Sequence, residues 1–181
     1  STLFASVLGF ILGIIVTVTS PTGLRPNIFI YKSLDVIINV LRSFPFIILI
    51  VFIIPLTRAI VGTPIGETAA IVPLTIAAAP FVARIIESAL KEVDPGVIEA
   101  AKSFGASNLQ IIFKVMLKEA VPAIISGLTL TIINIIGYSA MAGSVGAGGL
   151  GKVAISYGYQ RYQTDVMIVT VTILIIMVQG L

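Results

Sequence analysis

Cysteine and histidine are absent from this chain, and charged residues make up only 10% of it. Without cysteine there are no disulfides and no thiolate chemistry; without histidine there are no imidazole bases and few routes to a zinc site. A charged fraction that low, against roughly 25% in a typical globular protein, leaves too few polar groups to cover a surface in water. No GxxxxGK[ST] phosphate-binding loop occurs, so nucleotide hydrolysis is not expected here. The net charge of +3 is too small to point to nucleic acid. These absences leave no easy enzymatic reading.

What is present is mostly hydrocarbon. Hydrophobic residues are 57% of the 181 and mean hydropathy is +1.14. Lipid is therefore the expected solvent, and the expected fold is an all-α integral membrane protein of about five transmembrane helices in one domain, residues 1–181. The chain starts and stops inside apolar runs, so both ends read as limits of an ordered segment and not as biological termini. The first run is too long for a signal peptide and lacks its basic flank and cleavage site.

Residues 3–20 are 18 in a row without charge, closed by Pro21 and Gly23. Gly9 and Gly13 form a GxxxG pair, either a close-packing seam or a pair with no special partner. A second helix is expected from Ser33 to Thr57, kinked at Pro45 and Pro55, then a turn over 58–67. A third runs from Thr68 toward Lys91, with Pro73, Pro80 and the small residues Ala77, Ala78 and Ala79 suiting burial in protein. Arg84 and Glu87, three apart, are placed to pair.

One polar interruption organises the rest, residues 91–119. Asp94-Pro95 reads as a cap with proline at the first helical position. Gly105 ends that helix, and Ser107 with Gln110 fits a capping box for the next. The coupling loop proper is about 92–118. The fourth helix is expected to end near Ile136. Beyond it the glycine-rich segment 137–151, GYSAMAGSVGAGGLG, reads as irregular backbone that must lie at a protein-lined gate or interface. Tyr157, Tyr159 and Tyr162 suit a headgroup belt before a fifth span from Val166. Arg25, Lys32, Arg42, Arg84, Lys91, Lys102, Lys114 and Lys118 fall on the side of the polar loop; Arg58, Lys152 and Arg161 fall on the other. That bias makes the loop and C-terminus cytoplasmic and the N-terminus external.

Glu99-Ala100-Ala101, then Gly105-Ala106 and Pro122, resembles the EAA motif in membrane subunits of bacterial ABC importers. The stretches RSFPFIIL, IVPLTIAAAPFVAR and GYSAMAGSVGAGGLG resemble the small five-span permeases of methionine importers, over nearly the whole chain. The Lys118-Glu119 pair departs from the leucine-proline more common in that motif. The resemblance implies a bacterial inner-membrane permease working as a homodimer with two ATP-binding cassette subunits and an external substrate-binding protein or lipoprotein. ATP and Mg would be bound by the ATPase, with no cofactor in this chain.

The resemblance makes Pro95, Glu99, Ala100, Ala101, Phe104, Gly105 and Ala106 the candidate coupling residues. Glu99 would meet donors of the ATPase, or else pair with Lys102 as a solvated helix residue. Ala100 and Ala101 would be small for close approach, or for helix propensity alone. Phe104 would contact the ATPase or brace the membrane helices. Asn134, Tyr138, Ser139, Met141 and Gly143 are the candidate pathway or gate residues, with ordinary packing as the alternative. Two other functions stay open: the same importer class with another amino acid or small polar solute, and an ion-coupled secondary transporter. The latter needs discontinuous helices or coupling carboxylates near the midplane; the spans lack internal acids, and only the glycine-rich stretch fits.

Overall fold

The computed structural model describes residues 2–180, with the side chains of residues 144 and 145 outside the description. Regular structure among the described residues is entirely helical, as the composition requires. Its axis is α5 (Glu67–Lys91), an apolar helix with both Pro73 and Pro80 inside it and half of its most apolar window buried. The expectation that this helix lies within protein holds.

α1 (Thr2–Thr19) lies along α5 in the same direction. Ala5 clusters with Ala78, Gly9 abuts Ala79 and Val82, and Gly13 abuts Ala83 and Ile86. A Cβ on Gly9 would stand 2.4 Å from Val82 Cβ, and one on Gly13 2.6 Å from Ile86 Cβ. The glycine pair is thus a packing seam, where missing side chains let two backbones approach in a solvent that does not push helices together. The opposite face of α1 exposes Leu3, Phe4, Val7, Leu8 and Ile11, as a lipid-facing stripe should. The hydroxyls of its last turn are satisfied internally: Thr17 donates to Gly13 O at 2.8 Å and Thr19 to Ile15 O at 2.7 Å.

The second helix is not one kinked rod. α2 (Ile28–Ser43) starts earlier than expected, capped by Asn27, whose side chain accepts from Ile30 N at 3.2 Å. It stops at Phe44, and α3 (Phe46–Phe52) leaves at 106° to it. Proline disfavours helical backbone in the residue before it, and Phe44 is extended at φ −72, ψ 127. Pro55 does not kink a helix either. It sits in the first turn of a new one, α4 (Ile54–Val61), where its missing N–H costs nothing. Gly62, at φ 84, closes α4, so the turn is shorter than expected, 62–66.

α6 (Pro95–Ser103) and α7 (Asn108–Gln110) form the knuckle after α5. A π-helical turn, Ile111–Met116, carries α7 into α8 (Leu117–Ala142). α8 runs antiparallel to α5, since Gly127 meets Ile85 while Ile135 meets Ala78. It continues past Ile136, which corrects the expected end. Most of 137–151 is therefore helical, through a π-helical turn over Gly143–Ala147 and α9 (Gly149–Val153). Within that segment, left-handed backbone is confined to Gly146, Gly148 and Gly149. A third π-helical turn, Ala154–Tyr159, leads to α10 (Thr164–Gln179). Among the described residues, three helices are long and apolar enough to cross a membrane, up to four if the bent pair α2–α3 is one span, and α10 is a shorter apolar helix of 16 residues.

The seam makes a specific expectation. Gly9→Leu should destabilise the bundle by overpacking, about 1–3 kcal/mol, and lower the melting temperature of the detergent-solubilised protein. Gly137→Ala, where an added Cβ meets nothing within 4 Å, should leave it unchanged.

Candidate coupling surface and pathway

α6 is defined by local chemistry at both ends. Asp94 Oδ1 accepts from Gly96 N at 2.7 Å, and Pro95 follows at the first helical position. At the other end Ala106 N donates to Ala101 O at 3.1 Å and Gly105 N to Lys102 O at 2.9 Å. This paired closure needs a left-handed residue, and Gly105 supplies it at φ +79. The next cap is reciprocal: Ser107 N donates to Gln110 Oε1 at 2.8 Å and Gln110 N to Ser107 Oγ at 3.4 Å. All three signals stand where the sequence put them.

The knuckle has an inner and an outer face. Ile98, Ala101 and Ala106 pack against the buried cluster of Val93, Ile111, Ile112 and Met116. Glu99 and Ala100 are exposed, and Phe104 is 91% exposed. Phe104 is therefore not an internal brace. Ala101 and Ala106, expected at the outer surface, are half-buried against the membrane helices. No ion pair joins Glu99 to Lys102 among the described residues; both line a cavity of about 260 Å³ beneath α6, together with Ser20 and Lys91. The turn after α1 supports the knuckle through Leu24, which packs on the same cluster and accepts from Asn108 Nδ2 at 3.5 Å.

Above the knuckle, α2 is tied to α5 by charge. Arg84 donates to Glu87 Oε2 at 2.5 Å, to Asn39 Oδ1 at 2.9 Å and to Asp35. Lys91 Nζ donates to Glu87 Oε1 at 2.6 Å. Two acids and two bases cancel, which is what makes a Glu87 only 5% exposed tolerable. The Arg84–Glu87 pair was expected; Asp35 was not, and neither was an acid buried within α5. The signal was available, since Asp35, Asn39 and Arg42 sit at i, i+4 and i+7, on one face of the helix.

The expected pathway residues fall on regular helix. Asn134, Tyr138 and Met141 share one stripe of α8 at i, i+4 and i+7. Tyr138 stacks on Phe46 of α3 with centroids 4.6 Å apart, and Asn134 Nδ2 donates to Leu130 O at 3.0 Å. Ser139 points elsewhere, into a cavity of about 270 Å³ shared with Thr2, Leu150 and Met177. Gly143 is buried where the chain folds back: a Cβ there would stand 2.4 Å from Lys152 N. The structure thus does not bring the five residues to one place. Among the described residues, no cluster of three or more His, Cys, Asp or Glu is placed to hold a metal ion.

Comparison with known proteins gives this geometry a context. The family described as binding-protein-dependent transport system inner membrane component matches residues 7–181. The chain is 56% identical over 172 residues to a probable D-methionine transport system permease protein of Vibrio cholerae, covering 95% of this chain and 76% of that protein. It is 48% identical over 178 residues to a protein of the same description from Pasteurella multocida, covering 98% and 82%. Its fold is similar to a chain from inward-facing conformations of the MetNI methionine ABC transporter, at TM-score 0.96 and 48% identity over 98% of this chain and 82% of that one. A chain of an amino acid ABC transporter solved with histidines shares the fold, at TM-score 0.75 and 23% identity, covering 99% and 83%.

The charge cluster carries its own test. Arg84→Ala would strand Glu87 without its guanidinium. Because the arginine side chain is 20% exposed, the lower part of the range for a broken buried pair applies, about 3 kcal/mol. Thermal unfolding in detergent should show that loss, with Arg84→Lys in between because it keeps the charge but not the fork.

Proposed function

The chain belongs to the binding-protein-dependent transport system inner membrane components, and from that premise we propose that it is the permease subunit of an ATP-driven methionine importer. The observation that carries the substrate is the 56% identity, across 95% of the chain, to a permease named for D-methionine. In this reading two copies enclose the pathway and two ATP-binding cassette subunits dock beneath them. An external substrate-binding protein or lipoprotein delivers the amino acid. The chain itself is non-catalytic; ATP and Mg belong to the partner.

α6 is the lever. A short helix capped at both ends transmits displacement that a coil would absorb. Its exposed Glu99, Ala100 and Phe104 meet the ATPase, with Glu99 taking donors and Phe104 filling an apolar recess. Pro95 and Gly105 fix the helix limits, while Ala101 and Ala106 seat it on the membrane helices. Closure of the ATPase pair then pushes on α5 and α8 through the cluster around Ile111 and Met116. The knuckle and the C-terminal side are cytoplasmic and the N-terminal side external, supported by the distribution of lysine and arginine. At the far end, Asn134, Tyr138, Ser139, Met141 and Gly143 belong to the gate region, Tyr138 on Phe46 as part of its packing.

The test is uptake in liposomes holding this chain, its ATPase and the binding protein. The wild type should import D- or L-methionine on ATP hydrolysis. Gly105→Pro should insert normally yet import nothing, because proline fixes φ near −65° and removes the N–H that closes α6. A wild type that binds the ATPase but moves only another solute would overturn the substrate. One that binds no ATPase would overturn the lever.

A further inference from the structure

A cavity of about 390 Å³ opens between the end of α2, α5 and α8, within the ~300–1,000 Å³ usual for small-ligand sites. On α5 it uses Phe81, Ile85 and Ser88. That face is turned away from α1, which packs on Ala79, Val82, Ala83 and Ile86. From α8 it takes Ser126 and Leu130, and from α2 it takes Arg42. The walls are mainly apolar, and the charges at its edge differ in how they are engaged.

Arg84 borders the cavity but is already paired with Asp35 and Glu87 and bonded to Asn39. Arg42 makes no ion pair among the described residues; its guanidinium lies 5.9 Å from the centroid of the Phe81 ring. A guanidinium held against a ring at the edge of an apolar cavity is oriented, and its planar fork matches a carboxylate. Ser126 donates its hydroxyl to Pro122 O at 3.0 Å, which leaves the oxygen's lone pairs for a donor. Antiparallel packing sets Ser126 about one turn of α5 from Phe81, near Ile85. Glu92 also borders the cavity. At 1.5 Å per residue, however, it stands about 16 Å along the helix from Phe81, too far to share one amino acid with Arg42.

We propose that this cavity is a station for a zwitterionic α-amino acid with an unbranched apolar side chain: Arg42 takes the carboxylate, the Ser126 oxygen accepts from the ammonium, and Ile85 and Leu130 hold the side chain. The identity of that ligand as methionine rests on the function proposed above. Two polar contacts and an apolar wall make a weak site, which favours release over retention. The site lies at the knuckle end of α5 and α8, on the elements the lever moves.

The absence of cysteine from these 181 residues makes the test direct. Ser88→Cys, exposed in the cavity and not a ligand, places a unique thiol on this chain. Its alkylation in the full assembly, with the ATPase bound, is followed by mass spectrometry of this chain alone. Methionine should slow alkylation severalfold, and methioninamide, which lacks the carboxylate, should not. Arg42→Gln should abolish the protection and Arg42→Lys should retain part of it. An assembly that imports methionine normally yet shows no protection, at concentrations that saturate uptake, overturns the site and leaves the transport reading standing. Conversely, the assembly could import a different α-amino acid that protects the thiol through Arg42; the site then stands and methionine falls.

Discussion

The bundle depends on two missing side chains. At Gly9 and Gly13 the backbone of α1 comes close enough to α5 that even one carbon would collide with Val82 or Ile86. In lipid there is no hydrophobic effect to pull helices together, so contact has to come from close packing. The seam fixes more than distance. Because α1 and α5 run in the same direction, their ends lie together, and the turn after α1 comes under the knuckle that follows α5. Leu24 can then reach the cluster around Ile111 and Met116. A packing device deep in the bundle thereby decides what supports the lever at its surface.

What could be read from the sequence divides by range. The caps at Asp94, Gly105 and Ser107 were legible because each is settled within a few residues, by a side chain or a left-handed backbone that only local chemistry controls. The break at Phe44-Pro45 was not. A proline in a membrane helix can bend it or end it, and here the outcome goes with packing of the next helix, where Phe46 lies on Tyr138. The glycines after Ile136 misled in the other direction. Glycine weakens a helix in isolation, but Gly143 and Gly151 are held in a tight return where any side chain would strike backbone. Density of glycine there reports close approach more than irregularity.

The candidate site divided the same way. The motif residues of α6 were found, but which of them face inward depends on how the knuckle seats, and Ala101 and Ala106 turned out to be its footing. Tyr138 and Met141 were chosen for lying in irregular backbone, and they lie on a helix instead. Arg42 was legible only as a charge that sets topology. Its place beside Phe81 depends on the break that ends α2 two residues later, which no local pattern announced.

The charge cluster also has a consequence for biosynthesis. Asp35 and Arg84 are 49 residues apart, so the carboxylate leaves the ribosome well before its counter-ion exists. Until α5 is translated, that acid has only the partners α2 itself carries, Asn39 one turn on among them. Full neutralisation of the cluster is a late event, available only once both helices are present.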